Sequence, residues 1–222
     1  MSVQAIIFDL DGVLTDTAIY HFHAWKALAD QLGVDFDQQD NEQLKGVDRL
    51  GSLRWIAAKG GLALTAEQEA QLMQQKNQHY LALIDHMSPA DLYPGVQALF
   101  SAIKNEGIKI GLASASKNAA FVLQRLGIAA EFDYVADANH VTNSKPDPEV
   151  FLLAASGLGV AAKYCIGVED AVAGIEAINR AGMLAVGIGA PAVLTGAKRV
   201  YASVAELTLP ELQALAAAQV AV

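Results

Sequence analysis

Near the start of the chain, two aspartates two residues apart, Asp9 and Asp11, follow the apolar run Ala5-Ile6-Ile7-Phe8. On an extended strand, residues i and i+2 point to one face, so this spacing aims both carboxylates at one place. Their repulsion calls for an opposing charge or a proton. One such acid can attack a phosphoryl group covalently while its neighbour carries the proton. A divalent cation or basic side chains must then neutralise the moving oxygens. Asp11-Gly12 is also an ordinary turn signal, but a turn does not require a second acid at the end of an apolar strand. The polar residues Thr15, Asp16 and Thr17 follow closely.

Three further stretches carry the missing groups. Gly167-Val168-Glu169-Asp170 closes another apolar run with two acids. These acids either cap the next helix or supply oxygen ligands to magnesium, which takes one or two carboxylates beside water and phosphate. Ser114-Ala115-Ser116-Lys117-Asn118 reads as a strand-to-helix turn, where hydroxyl and backbone N–H groups also form an anion cradle. In Lys145-Pro146-Asp147-Pro148 a cation stands in a proline-stiffened segment just before a helix.

These residues need a frame. Buried strands are expected over residues 4–9, 108–113, 134–136, 164–168, 183–188 and 199–202. Helices are expected over 117–126 and 171–180, closed by Gly127 and Gly182. Apolar strands alternating with helices define an α/β fold with a doubly wound parallel sheet. Ligands bind such sheets at the carboxyl ends of the strands, where Asp9, Ser114, Glu169 and Asp170 all fall. Residues 16–92 differ: helical patterns over 20–32, 50–59 and 65–84 occur without a strand. That segment is expected to be an inserted helical cap domain, with hinges near 14–16 and 90–94. The core domain then comprises residues 1–15 and 93–222. Pro94 suits the first turn of the following helix, and the alanine-rich end is expected to be a docked helix.

At 222 residues, 53% hydrophobic and 18% charged, the chain can bury one full core and a smaller module. A net charge of −9 argues against a nucleic-acid partner and leaves room for a phosphorylated small molecule. Cys165 is the single cysteine, so no intrachain disulfide forms. The opening residues lack the pattern of a signal peptide. The weakly polar run 181–194 is too short to span a bilayer and is broken by Pro191. A cytoplasmic monomer without a membrane partner is expected.

Taken in order, Asp9-Leu10-Asp11-Gly12, Ser114, Lys145 and Glu169-Asp170 resemble the haloacid-dehalogenase-like superfamily of phosphotransferases over essentially the whole chain. The resemblance implies that Asp9 is the nucleophile that becomes aspartyl-phosphate and that Asp11 is the general acid/base. It implies that Ser114 and Lys145 hold the moving phosphoryl group. Magnesium would be bound by Asp9, the main-chain carbonyl of Asp11, Glu169 and Asp170.

The stretches 16–28 and 41–49, together with Lys76-Asn77, Ser88-Pro89-Ala90-Asp91 and Tyr93-Pro94-Gly95, are similar to the β-phosphoglucomutase branch. That branch interconverts β-glucose 1-phosphate and glucose 6-phosphate through β-glucose 1,6-bisphosphate. By the same resemblance, Thr17, His21 and Lys76 place Asp11 when the cap closes. Lys45, Gly46, Val47 and Arg49 form a substrate loop, with Ser52 and Trp25 beside it. Ala115, Ser116, Lys117 and Asn118 meet the substrate from the core. Asp48 stands where a small neutral residue is more usual, and Ala171 where a hydroxyl often sits. A magnesium-dependent phosphatase acting on small sugar phosphates is the alternative.

Overall fold

The computed structural model describes residues 2–44 and 46–218. Six strands, β1 (Ala5–Phe8), β2 (Lys109–Leu112), β3 (Tyr134–Val135), β4 (Cys165–Glu169), β5 (Leu184–Ile188) and β6 (Arg199–Tyr201), form one parallel sheet in the order β3-β2-β1-β4-β5-β6. Every residue of β1 is buried. Ile6 and Phe8 enter one apolar cluster, and Ala5 and Ile7 enter the other. A strand covered on both faces is therefore apolar throughout rather than at alternate positions. From β1 the chain crosses to β2 on one side and later to β4 on the other, so the strand order reverses at β1. The adjacent carboxyl ends of β2, β1 and β4 form the binding crevice of such a sheet.

Between β1 and β2 stand α1 (Ala18–Gln31), α2 (Gln38–Glu42), α3 (Arg49–Lys59) and α4 (Ala66–Ile84). They have their own core of Trp25, Leu28, Ala29, Val34, Phe36, Leu44, Leu53 and Ile56. The last turns of α4 root this cap, because Tyr80 and Ile84 join the cluster of Ile6 and Phe8. The outgoing and returning chains meet where Thr15 Oγ1 donates to the carbonyl of Asp91 at 2.7 Å and the Tyr93 N–H donates to that of Leu14 at 2.9 Å. The helices α5 (Val96–Asn105), α6 (Ala119–Arg125) and α9 (Leu209–Ala218) cover one face of the sheet. The other face is covered by α7 (Glu149–Leu158) and α8 (Val172–Arg180). None of the described helices is long and apolar enough to cross a membrane.

Two local expectations are corrected. The helix expected over 117–126 begins later, because hydroxyls capture the backbone first: Ser116 N–H donates to Ser114 Oγ at 3.1 Å and Asn118 N–H to Ser116 Oγ at 3.3 Å. Second, α2 was not expected. It is too short for periodicity to show and is set by the reciprocal cap of Asp37 and Asp40.

Gly167 in β4 marks how closely α8 packs: a Cβ there would lie 2.6 Å from Ile178 Cγ1. Gly167→Ala should lower unfolding stability by about 1–3 kcal/mol, read from urea titration. An unchanged midpoint would contradict this packing.

Candidate active site

Backbone hydrogen bonds extend the central pairing one residue beyond β1. Asp9 N–H donates to the Val168 carbonyl at 2.9 Å, and Ala113 N–H to that of Phe8 at 2.8 Å. Asp9 is thereby registered between Ala113, the residue before Ser114, and Glu169. Lys145 crosses this rim from the loop before α7, donating to Asp9 Oδ1 at 2.6 Å and Glu169 Oε2 at 2.8 Å. All three side chains are nearly inaccessible, at 1%, 8% and 2% exposure for Lys145, Asp9 and Glu169.

Two glycines make room for the acids. At Gly12, with φ +76°, a Cβ would stand 2.2 Å from Asp170 Oδ2; at Gly174 it would stand 2.0 Å from Glu169 Cδ. The first position needs glycine for both its conformation and its space.

Asp9, Glu169 and Asp170 each present an oxygen, all lying within 4.8 Å of one another. Asp11 is half-buried, and its carboxyl is pushed up to about 8, first by desolvation and then by the charges of Asp9 and Asp170, against the pull of Lys145 and Lys76. Glu169 is raised well above the usual range, mainly by burial and then by Asp9, with Lys145 opposing. Its Oε1 accepts the Ala171 N–H at 3.2 Å. Asp11 Oδ1 is buried without a hydrogen-bond partner. Three carboxylate oxygens gathered this closely beside Lys145 fit a hard divalent cation such as magnesium.

Over this acidic floor the cap places a basic roof. His21, Trp25, Gly46, Val47, Arg49, Ser52 and Lys76 line one cavity with Asp9, Asp11, Ser114, Ala115, Ser116, Lys117, Lys145, Glu169 and Asp170. Lys76 is 2% exposed. Its Nζ lies 2.7 Å from His21 Nδ1 and 4.7 Å from the ring centroids of both Trp25 and Tyr80. Burial and then Arg49 push the Lys76 ammonium down to about 7, against Asp11. His21, stacked on Tyr80 at 4.1 Å, falls well below its ordinary value through burial first, then Lys76 and Arg49. Arg49 is lowered by burial, and no carboxylate of the described residues pairs with it. Such a cavity suits an anionic ligand that spans floor and roof.

Not every residue singled out in the sequence lines this space. Lys45 lies outside the described residues. Thr17 is fully buried at the start of α1 and does not line the cavity. Asn118 also stays out of the wall; its side-chain amide donates to Asn77 Oδ1 at 2.8 Å. Trp25 serves both wall and cap core. Ala18, Asn41 and Leu44 line the cavity without having been singled out. Ala18 and Leu44 carry no chemical signal, and Asn41 lies in α2. Asp48 caps α3 and bonds to Ser144 of the core, a pairing that spacing along the chain does not reveal.

Comparison with known proteins fits this geometry. The haloacid dehalogenase-like hydrolase family matches residues 3–182. A β-phosphoglucomutase of Bacillus subtilis is 47% identical over 93% of this chain and 92% of its own. The crystal structure of a β-phosphoglucomutase from Clostridium difficile superposes with a TM-score of 0.98 at 44% identity, covering 99% of this chain and all of that one. A fructose-1-phosphate phosphatase of Escherichia coli is 32% identical over 82% of this chain and 95% of its own. With its six-stranded parallel sheet, its helical cap and nearly half its residues shared along almost the full length, the chain belongs to the haloacid dehalogenase-like hydrolase family and, within it, to the β-phosphoglucomutases.

Proposed function

We propose that this chain is an isomerase that interconverts β-D-glucose 1-phosphate and D-glucose 6-phosphate through an aspartyl-phosphate enzyme and β-glucose 1,6-bisphosphate. One observation supports the reading: a cavity whose acidic floor of Asp9, Asp11, Glu169 and Asp170 faces a roof that carries Arg49 and the buried Lys76. A bisphosphate that must react at either end needs two phosphate sites in one closed space. The names of the relatives from Bacillus subtilis and Clostridium difficile support the sugar.

In this reading Asp9 carries the phosphoryl group at the start. The C6 hydroxyl of the substrate attacks the phosphorus, the Asp9–phosphate bond breaks, and Asp11 accepts the hydroxyl proton. The resulting bisphosphate is held in the other orientation. Asp9 then attacks the C1 phosphate, and Asp11 returns the proton to the departing C1 oxygen. Near neutral pH, an acid raised to about 8 can both give and take this proton. Ser114 and Lys145 lie beside Asp9 to hold the moving phosphoryl group. Asp9, Glu169, Asp170 and the main-chain carbonyl of Asp11 would hold magnesium, which supplies charge neutralisation at the transferring oxygens.

A mutase must also keep water from the aspartyl-phosphate. We assign the core to residues 1–15 and 93–222 and the cap to 16–92, moving about the paired segments near residues 14–16 and 90–94. Closure excludes water and completes the site. Thr17, His21 and Lys76 lie on the cap side, where closure brings Asp11 into place. Gly46, Val47, Arg49, Ser52 and Trp25 receive the sugar and its non-transferring phosphate, together with Lys45 and with Ala115, Ser116 and Lys117 from the core. Asn118 joins that phosphate only if its amide leaves Asn77.

Three outcomes follow. With magnesium and a trace of β-glucose 1,6-bisphosphate, β-glucose 1-phosphate should yield glucose 6-phosphate in large excess over free phosphate; dominant phosphate release would make the enzyme a phosphatase. Arg49→Ala should weaken substrate binding by ~2–5 kcal/mol, read as a rise in KM, if Arg49 forms a buried phosphate pair; an unchanged KM would remove Arg49 from that role. Lys76 supplies a pH signature in the empty enzyme. Its folded value of about 7 lies below the ordinary 10.5, so between these pH values the unfolded chain binds the extra proton and stability rises with pH. Below 7 both states are protonated and the slope vanishes. Lys76→Met should flatten the slope between pH 7 and 10 in urea titrations, and an unaltered slope would contradict the burial of this ammonium.

A further inference from the structure

Outside the reacting centre, one side-chain pair spans the seam between cap and core. Asp48 N–H donates to Ser144 Oγ at 3.3 Å, and Ser144 Oγ–H donates back to Asp48 Oδ2 at 2.5 Å. Each partner is already fixed by its own side of the seam. Asp48 caps α3, its Oδ1 accepting from Leu50 N–H at 2.8 Å and Gly51 N–H at 2.9 Å, while Ser52 Oγ donates to its carbonyl at 2.9 Å. Ser144 sits in a turn tied by Glu149, whose carboxylate accepts the N–H groups of Thr142 and Asn143 at 2.8 Å each. The bond therefore costs little extra ordering when it forms.

Its position is the informative part. Asp48 directly precedes Arg49 of the roof, and Ser144 directly precedes Lys145 of the floor. The loop lies against the lysine stem, since a Cβ on Gly46 would be 3.5 Å from Lys145 Cβ. Beyond the seam a second groove is lined by Asp48, Ser144, Asn77 and Asn143, and it shares Arg49, Ser114, Ala115, Lys117 and Lys145 with the catalytic cavity. Asn118 and Asn77 form another bridge from core to cap, so loss of one bridge need not release the cap.

We propose that Asp48 and Ser144 form a latch that closes the seam, a positioning pair that keeps Arg49 over the cavity and water out of it. The latch deepens the mutase reading and rests on it for the product readout, whereas its formation can be measured without turnover. The test compares wild type with Ser144→Ala, Ser144→Thr, Asp48→Ala and the Asp48→Ala/Ser144→Ala double variant. Amide hydrogen exchange over residues 46–52 reads the latch in the ligand-free enzyme. The ratio of free phosphate to glucose 6-phosphate reads its consequence.

Ser144→Ala, which leaves the α3 cap intact, should speed exchange over 46–52 and raise the phosphate ratio by about tenfold, the factor of one charge-assisted hydrogen bond. Ser144→Thr should restore both, and the double variant should be no worse than Asp48→Ala alone. Unchanged exchange and product ratio in Ser144→Ala, or fully multiplying losses in the double variant, would overturn the latch. A wild type that forms no glucose 6-phosphate would instead sink the mutase reading and leave the exchange comparison to judge the latch.

Discussion

Asp9, Asp11, Glu169 and Asp170 crowd the rim of adjacent parallel strands, and Lys145 reaches across it, bonded to Asp9 and Glu169. Burial makes their mutual repulsion costly, because low dielectric weakens the screening that water would give. That cost raises Asp11 to about 8 and Glu169 above its usual range, and it leaves three oxygens gathered where a cation can sit. Both effects serve phosphoryl transfer. An acid that titrates near neutrality can shuttle a proton, and a cation-ready floor can neutralise a phosphate.

The cap repeats this logic with the opposite sign. Arg49 and Lys76 come together in the roof, with Lys76 among the rings of Trp25 and Tyr80 and against the imidazole of His21. Arg49 lowers Lys76, and among the described residues neither has a carboxylate partner in an ion pair. Acids thus gather at one end of the cavity and cations at the other. In the proposed reaction an anionic substrate bridges the two, which would tie closure to its arrival. The seam bond between Asp48 and Ser144 adds a contribution that does not depend on the ligand.

Much of the frame was legible because its physical cause is local. The unbroken apolar run before Asp9 reports a strand covered on both faces, and the acids after β4 report a strand end at the same crevice. Where side chains compete with backbone, the pattern misleads: the hydroxyls of Ser114 and Ser116 delay α6 beyond Lys117. Where a fact exists only after closure, it is invisible in one dimension. Lys76 and Asn118 are singled out by resemblance alone, and only the fold shows Lys76 enclosed by α1 and α4 and Asn118 bonded to Asn77; Asp48 is an oddity of its loop until Ser144, 96 residues away, accounts for it.

The proposed reaction requires Asp9 to bond covalently to phosphate. The most direct measurement is rapid acid quenching of magnesium-loaded enzyme mixed with β-glucose 1,6-bisphosphate, followed by peptide mass spectrometry. One added phosphoryl group should appear on the peptide carrying Asp9, at the Asp9 carboxylate itself. Productive turnover with that peptide unmodified, or with the phosphoryl group on another residue, would contradict the account.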